Sequence, residues 1–284
     1  MAKLRGGLSA ALMLVAAVRP TLPARAQTKP IEITADLTDA PRKLYHADID
    51  LPVAPGPLTL TTPKWIPGNH RPTGPVDQIT GVVFTANGQI LPWRRDDVDL
   101  YEFHLTIPES VTTLHVHLDC IVLQRVSQKL AVLEWEKLML YPANIPVSEI
   151  SIQPSLKVPA DWGIGTALTP VSSGAYPVPA PGAVTQFAAT TVAQLEDSPV
   201  VTGAYFHEFP LAPSVKPSHF IDVVSDFPED SNLRPACSPL STTLCGKPMR
   251  STLRITITSI IFCSRSPMWP EWRGLSTANL PTMA

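Results

Sequence analysis

Between Leu114 and Asp119 apolar and polar residues alternate strictly: Leu114, Val116 and Leu118 against His115, His117 and Asp119. A period of two puts one set on each side of an extended backbone, so the segment is expected to be a strand with one apolar and one polar face. Tyr101, Phe103 and Leu105 alternate with Glu102, His104 and Thr106 in the same way. With Ile107-Pro108-Glu109-Ser110 between them, these two segments are expected to pair as a hairpin. Asn87-Gly88, between Val82-Val83-Phe84 and Ile90-Leu91, is the strongest short hairpin turn in the chain, because both residues tolerate positive φ. Further strands are expected at residues 131–135, 150–154, 185–191 and 219–224. Residues 174–182, with Pro177, Pro179 and Pro181, are expected to be a loop, since each proline removes a ladder donor. No segment has the period of a long helix, and no repeat of fixed length is present.

Composition supports an all-β reading. The 284 residues are 44% hydrophobic, enough for a substantial core, and 32 prolines against 14 glycines suit short strands joined by stiff turns. The net charge of -2 hides a break near Asp230. After it the chain has six basic residues, one acid (Glu271), no histidine and three of the four cysteines (Cys237, Cys245, Cys263). All seven histidines and 23 of the 24 acids precede it. Neither part has the Lys/Arg stripe that nucleic acid requires.

The first 26 residues have the pattern of an export signal: Lys3 and Arg5, an apolar run from Leu8 to Val18, and the small-x-small site Ala24-Arg25-Ala26. The mature chain is expected to begin at Gln27 in the periplasm or outside the cell. An 11-residue run is too short to span a bilayer, which takes about 20 residues, so no membrane attachment is expected after cleavage. With Cys120 alone before the break, no disulfide pattern holds the main domain.

Candidate chemistry is sparse. His115 and His117 share one strand face and could chelate a metal if a third ligand such as His104 lay on the neighbouring strand. A solvated polar sheet face explains the same spacing and is the preferred reading. His207-Glu208 opens like a zinc-protease helix, but position 211 is Leu and Pro210 would break the helix. Cys120 lies in the apolar run 118–123 and is expected to be a buried packing residue. Asp96, Asp97 and Asp99, after Arg94-Arg95, read as a solvated charged loop. There is no Gly-x-Ser-x-Gly elbow and no glycine-rich phosphate cradle. The loop Lys64-Trp65-Ile66-Pro67-Gly68-Asn69-His70-Arg71-Pro72 is more specific. Trp65 is expected to pin it to the core, with recognition through Trp65, Asn69, His70 and Arg71 as the alternative. In Leu195 to Gly203, Asp197 and Ser198 are expected to close an Asx-type turn before Pro199.

Four motifs in order carry a family resemblance: Trp65 to Gly68, Gly88 to Pro92, Pro159 to Gly163 with Thr166-Ala167-Leu168 behind it, and Leu195 to Gly203. Over about residues 31–227 the chain resembles the N-terminal domain of the PDZ-containing glycyl aminopeptidases, zinc metallopeptidase family sixty-one. The resemblance implies a β-sandwich or saddle-like domain that precedes a thermolysin-like catalytic domain and a PDZ domain. In that family the zinc is held by the two histidines of His-Glu-x-x-His and a downstream glutamate, a pattern this sequence does not contain. No catalytic, cofactor or metal residue carries over, and zinc is expected only in the missing catalytic domain.

The expected organisation is therefore a signal peptide at 1–26, a β-domain at 27–228 and a poorly ordered tail at 229–284. The tail is expected to be an out-of-frame translation of the start of the catalytic domain; a genuine basic extension that binds a partner is the alternative. Its run 255–260 is β-branched and uncharged, an aggregation hazard where exposed. The expected function is a non-catalytic scaffold of an exported glycyl-aminopeptidase-like enzyme, neither retaining zinc nor cleaving peptides, with a peptide or the missing catalytic domain as partner. The runner-up is a free-standing β-sandwich that binds a peptide or protein. A metal-binding protein using His104, His115 and His117 ranks last.

Overall fold

The computed structural model describes residues 29–66, 68–172, 177–211, 219–229 and 254–255. The period-two stretches within them are strands. Along the chain these are β1 (Ile31–Asp36), β2 (Leu44–Pro52), β3 (Gly56–Thr61), β4 (Ile79–Ala86), β5 (Gln89–Ile90), β6 (Trp93–Arg95), β7 (Glu102–Ile107), β8 (Thr113–Ile121) and β9 (Leu130–Leu133). They continue as β10 (Tyr141–Pro142), β11 (Ser151–Lys157), β12 (Gly163–Thr166), β13 (Val184–Gln186), β14 (Thr190–Thr191), β15 (Val200–Gly203), β16 (Tyr205–Leu211), β17 (His219–Ser225) and β18 (Arg254–Ile255). The one α-helix among the described residues, α1 (Val192–Glu196), is five residues long, so the chain is all-β as expected. No helix among them is long and apolar enough to cross a membrane.

The largest sheet runs β13-β11-β1-β2-β8-β4-β5, with β14 also paired to β11. Its centre is antiparallel, β1 on β2 and β2 on β8, while β1 and β11 are parallel. A second sheet, β10-β3-β7-β6, covers one face of it. Tyr45, Ala47, Ile49 and Leu51 of β2 and Leu114, Val116, Leu118 and Cys120 of β8 all point into the space between, at 1% exposure or less. Phe84 of β4 meets Phe103 of β7 and Trp93 of β6 edge-on, at centroid distances of 6.4 and 5.8 Å, which locks the two sheets together. Burial pushes the Cys120 thiol up to about 12, so it is a packing group and not a nucleophile.

The Asn87-Gly88 turn forms as expected: Ala86 pairs with Gln89, and both turn residues have positive φ. The hairpin expected between residues 101–106 and 114–119 does not. β7 pairs with β3 and β6, whereas β8 lies between β2 and β4 in the other sheet. Both strands must turn their apolar side to one core. The connection through Pro108 and Ser110, the latter at φ 65, carries the chain from one layer to the opposite one. The expected strand at 185–191 is split into β13 and β14, because Phe187 turns into the core and bridges Pro170 instead.

Two smaller sheets follow, β12-β15-β9 and β16-β17-β18. The Leu195 to Gly203 motif builds the first of these. Leu195 is buried on α1, and Val200 and Val201 are buried on β15. The Ser198 carbonyl accepts the indole N–H of fully buried Trp135 at 3.0 Å. The turn is closed by the Ser198 hydroxyl donating to the Gln194 carbonyl at 2.7 Å, and not by an Asx turn at Asp197. Residues 1–26, where an export signal is expected, and residues 230–284, apart from Arg254–Ile255, lie outside the described residues.

Candidate functional site

The Trp65 loop leaves β3 and returns toward β4. Its stem is held by the Gly74 N–H donating to the Lys64 carbonyl at 3.1 Å and by a backbone bridge between Trp65 and Pro72. A second loop braces it: Lys64 Nζ lies 2.5 Å from Asp99 Oδ2 and 5.5 Å from the centre of the Tyr101 ring. The hydrogen bond between them holds the Lys64 ammonium above its ordinary pKa and the Asp99 carboxyl below its own. The Tyr101 hydroxyl donates toward the carbonyls of Pro72 and Gly74, at 3.3 and 3.4 Å.

Trp65 is 61% exposed, which overturns its expected role as an anchor to the core. Braced from below, the loop has no need of one, and the indole is free to present its face outward. Asn69, His70 and Arg71 are exposed beside it, and Asn69 Nδ2 donates to Thr73 Oγ1 at 2.7 Å. On the bracing loop Val98 is 94% and Leu100 55% exposed. Two joined loops thus carry three large exposed apolar side chains, one histidine and one arginine, a composition suited to gripping a peptide or protein segment.

Asp96 and Asp99 are not merely a solvated charged loop. Asp96 Oδ1 accepts the N–H groups of Asp99 and Val98 at 2.8 and 2.9 Å, and its other oxygen meets His104 Nε2 at 2.9 Å. Those two N–H groups, then His104, hold the Asp96 carboxyl well below the usual carboxylate range. Asp96 therefore fixes the turn from which Val98 and Leu100 project.

A second polar assembly covers the outer face of the large sheet. The β2–β8 register sets His46 opposite Asp119, Asp48 opposite His117 and Asp50 opposite His115. All three rungs close through Nδ1: His46 to Asp119 at 2.6 Å, His117 to Asp48 at 2.9 Å and His115 to Asp50 at 2.7 Å. Burial alone would lower the His46 pKa. The hydrogen bond and charge of Asp119, with Asp39 and Asp36 behind, more than offset it, and the pKa is raised. His104 is not part of this face. It belongs to β7 in the opposite sheet and is held between Thr59 Oγ1 at 3.0 Å and Asp96. The residue that sequence reasoning missed is His46, whose strand Leu44–Pro52 shows the same alternation as β8.

Among the described residues, two groups bring potential metal ligands within 4.8 Å of one another: His46, His117 and Asp119, and Asp96, Glu102 and His104. The hydrolytic zinc implied by the family resemblance does not fit His207 and Glu208. They are successive residues of the extended strand β16, so their side chains leave on opposite sides. Glu208 stands opposite Asp222 of β17. Asp222 is fully buried, and burial together with the Glu208 charge raises its carboxyl to about 7. A shallow groove of about 430 Å³, lined in part by Leu168, Thr169, Gln194 and Asp197, opens beside α1 and carries no catalytic constellation.

Comparison with known proteins gives the relatives of this arrangement. Residues 32–204 match the family model described as the Peptidase M61 N-terminal domain. No curated protein matches the sequence. Among solved structures, an aminopeptidase N family protein from Idiomarina loihiensis superposes with a TM-score of 0.56 at 18% identity, over 68% of this chain and 32% of that one. An M1 zinc metallopeptidase from Deinococcus radiodurans gives 0.40 at 11% identity, over 69% of this chain and 47% of the other. The chain thus spans from about a third to a half of the length of these two proteins. The first likeness bears on the fold alone. The matched range begins one residue into β1 and ends just after β15, enclosing both large sheets and the Trp65 loop. The chain belongs to the Peptidase M61 N-terminal domain family.

Proposed function

We propose that this chain is the non-catalytic N-terminal scaffold of an exported, glycyl-aminopeptidase-like metallopeptidase and does not itself hydrolyse peptides. The observation that supports this most is the coincidence of the family match, residues 32–204, with a sheet sandwich whose polar groups brace turns and rungs. Hydrolysis needs an activated water and a zinc site with an open position. His207 and Glu208 cannot supply one from an extended strand. The hydrolytic zinc then belongs to a separate catalytic domain, and this domain serves as a wall for it or for its substrate.

The mature chain, purified without residues 1–26, is expected to leave glycine-containing peptides intact; cleavage above background would contradict the proposal. Export is supported by the signal pattern of residues 1–26. It predicts a mature N-terminus at Gln27 in the periplasmic or secreted fraction. The change of composition near Asp230 supports reading the tail as an out-of-frame stretch, and nucleotide sequencing across codons 225–285 and beyond tests it.

A second reading has an observation of its own. Trp65, Val98 and Leu100 are exposed on two braced loops, which favours a module that binds a peptide or the catalytic domain. A binding screen with Trp65→Ala as control separates the two: a Trp65-dependent partner supports the module, and none supports the plain scaffold.

A further inference from the structure

We propose that His46, His117 and Asp119 form a binding site for one divalent transition-metal ion, with zinc as the reference ion, on the outer face of the large sheet. Asp119 is central. Its Oδ1 lies 2.6 Å from His46 Nδ1 and 3.4 Å from His117 Nε2, and the three ligand atoms fall within 4.8 Å of one another. Two ligands each about 2.1 Å from a tetrahedral ion stand about 3.4 Å apart, so His117 and Asp119 already have that separation and His46 must recede by less than about 1 Å.

The remote ring nitrogens supply the independent observation. His117 Nδ1 is held by Asp48 Oδ1 at 2.9 Å, and His46 Nε2 faces Asp39 Oδ2 at 3.5 Å. A carboxylate behind each imidazole fixes the ring and its tautomer and makes the opposite nitrogen a better ligand, the support that metal-binding histidines ordinarily have. The two rings are nearly parallel, 20° apart with centroids separated by 6.4 Å, so both present edges toward Asp119. With neutral imidazoles the carboxylates of Asp39, Asp48 and Asp119 face the two rings, with Arg42 3.3 Å from Asp39, which leaves a net negative setting for a dication.

The sheet holds this arrangement in place. Asp119 sits between His46 on β2 and Thr80 on β4. β4 bulges between Thr80 and Val83, and Gly81 there has φ 61. A Cβ on Gly81 would lie 2.5 Å from Asp119 Oδ2, so the glycine leaves the space that the carboxylate occupies. Three protein ligands leave one position for water. His2Asp donors suit zinc or a neighbouring late transition metal and not calcium, which prefers six to eight oxygens.

The other cluster lacks these properties. Both nitrogens of His104 are taken, by Thr59 and Asp96, and Asp96 Oδ1 accepts two backbone N–H groups. It braces a turn, and its single histidine is backed by the Thr59 hydroxyl and not by a carboxylate.

The test is zinc binding to the full mature chain, followed by calorimetric titration and by metal content after dialysis. One zinc per chain is expected. Replacement of His117 or His46 by Ala should abolish binding, and Asp48→Asn should weaken it about 10- to 100-fold, the usual range when a ligand's supporting group is lost. His115→Ala, on the same face but outside the cluster, should leave affinity within about threefold, and circular dichroism checks that each variant is folded. Replacing His117 by Cys, another zinc ligand, should restore binding in part. No stoichiometric zinc, or zinc retained by folded His46→Ala and His117→Ala chains, would overturn the proposal.

Discussion

The two faces of the large sheet come from the same alternating strands and differ in almost everything else. On the inner face Tyr45, Ala47, Ile49 and Leu51 meet Leu114, Val116, Leu118 and Cys120 under a second sheet. On the outer face His46, Asp48 and Asp50 meet Asp119, His117 and His115. The inner face needs only apolar residues of suitable volume, and many sequences would satisfy it. The outer face depends on register: a slip of two residues would keep every apolar contact class yet would set Asp48 against Asp119 in one direction, or His46 against His117 in the other. Like charges opposite one another destabilise a sheet, so the His–Asp rungs also help to specify the β2–β8 alignment.

The contrast predicts a steep order of mutational effects. Phe84→Ala empties the contact of Phe84 with Phe103 and Trp93 and is expected to cost about 3–5 kcal/mol in urea denaturation. A loss below about 1 kcal/mol would mean that the two sheets are not locked there.

Asp222 breaks the two-face rule, since residues 221–225 of β17 are buried in succession. Its carboxyl is raised to about 7 from the ordinary 3.8. A carboxyl that holds its proton more tightly in the folded chain favours the fold while protonated. That contribution is full below about pH 4 and is lost as pH rises toward about 7. Asp222→Asn is therefore expected to stabilise the chain by about 1–3 kcal/mol at pH 8, with little gain at pH 4, in paired denaturation curves. Equal effects at both pH values would show that Asp222 is not strained by its charge.

Smaller effects belong to the outer face. His115→Ala removes one rung whose partners are about half exposed, so a loss of about 0.2–1 kcal/mol is expected at pH 6. A larger loss would give the outer face a structural weight beyond setting the strand register. Trp65→Ala should change stability by no more than about 0.5 kcal/mol, because the indole is exposed and the loop is held by Lys64, Asp99 and Tyr101. Lys64→Met should loosen the same loop more than Trp65→Ala does, as measured by limited proteolysis.

The β8 half of the inner face was legible from alternation, and the turn at Asn87-Gly88 from residue chemistry, whereas β2 was not singled out. The sheet to which each strand belongs was not legible. Sequence neighbours β7 and β8 read as a hairpin because locality favours it, and only the need to close one core from two sides sends them to different layers. The outer face was half legible. His115 and His117 were evident as a pair, but the partner strand was sought at His104, whereas Leu44–Pro52 carries the complementary spacing of His46, Asp48 and Asp50. Matching a His-rich strand to an Asp-rich one of the same period would have found it. Trp65 was misplaced because a large aromatic ordinarily seeks the core, and its exposure follows from braces that lie more than 25 residues further along the chain.

The central proposal is that this domain supports peptidase chemistry without performing it, whether or not its outer face takes a metal. The most direct measurement is hydrolysis of a glycyl anilide by the zinc-saturated mature chain, followed by release of the chromophore. The account predicts the same rate as zinc-containing buffer alone. Zinc-dependent release that disappears in His117→Ala would contradict it and would make the outer face an active site.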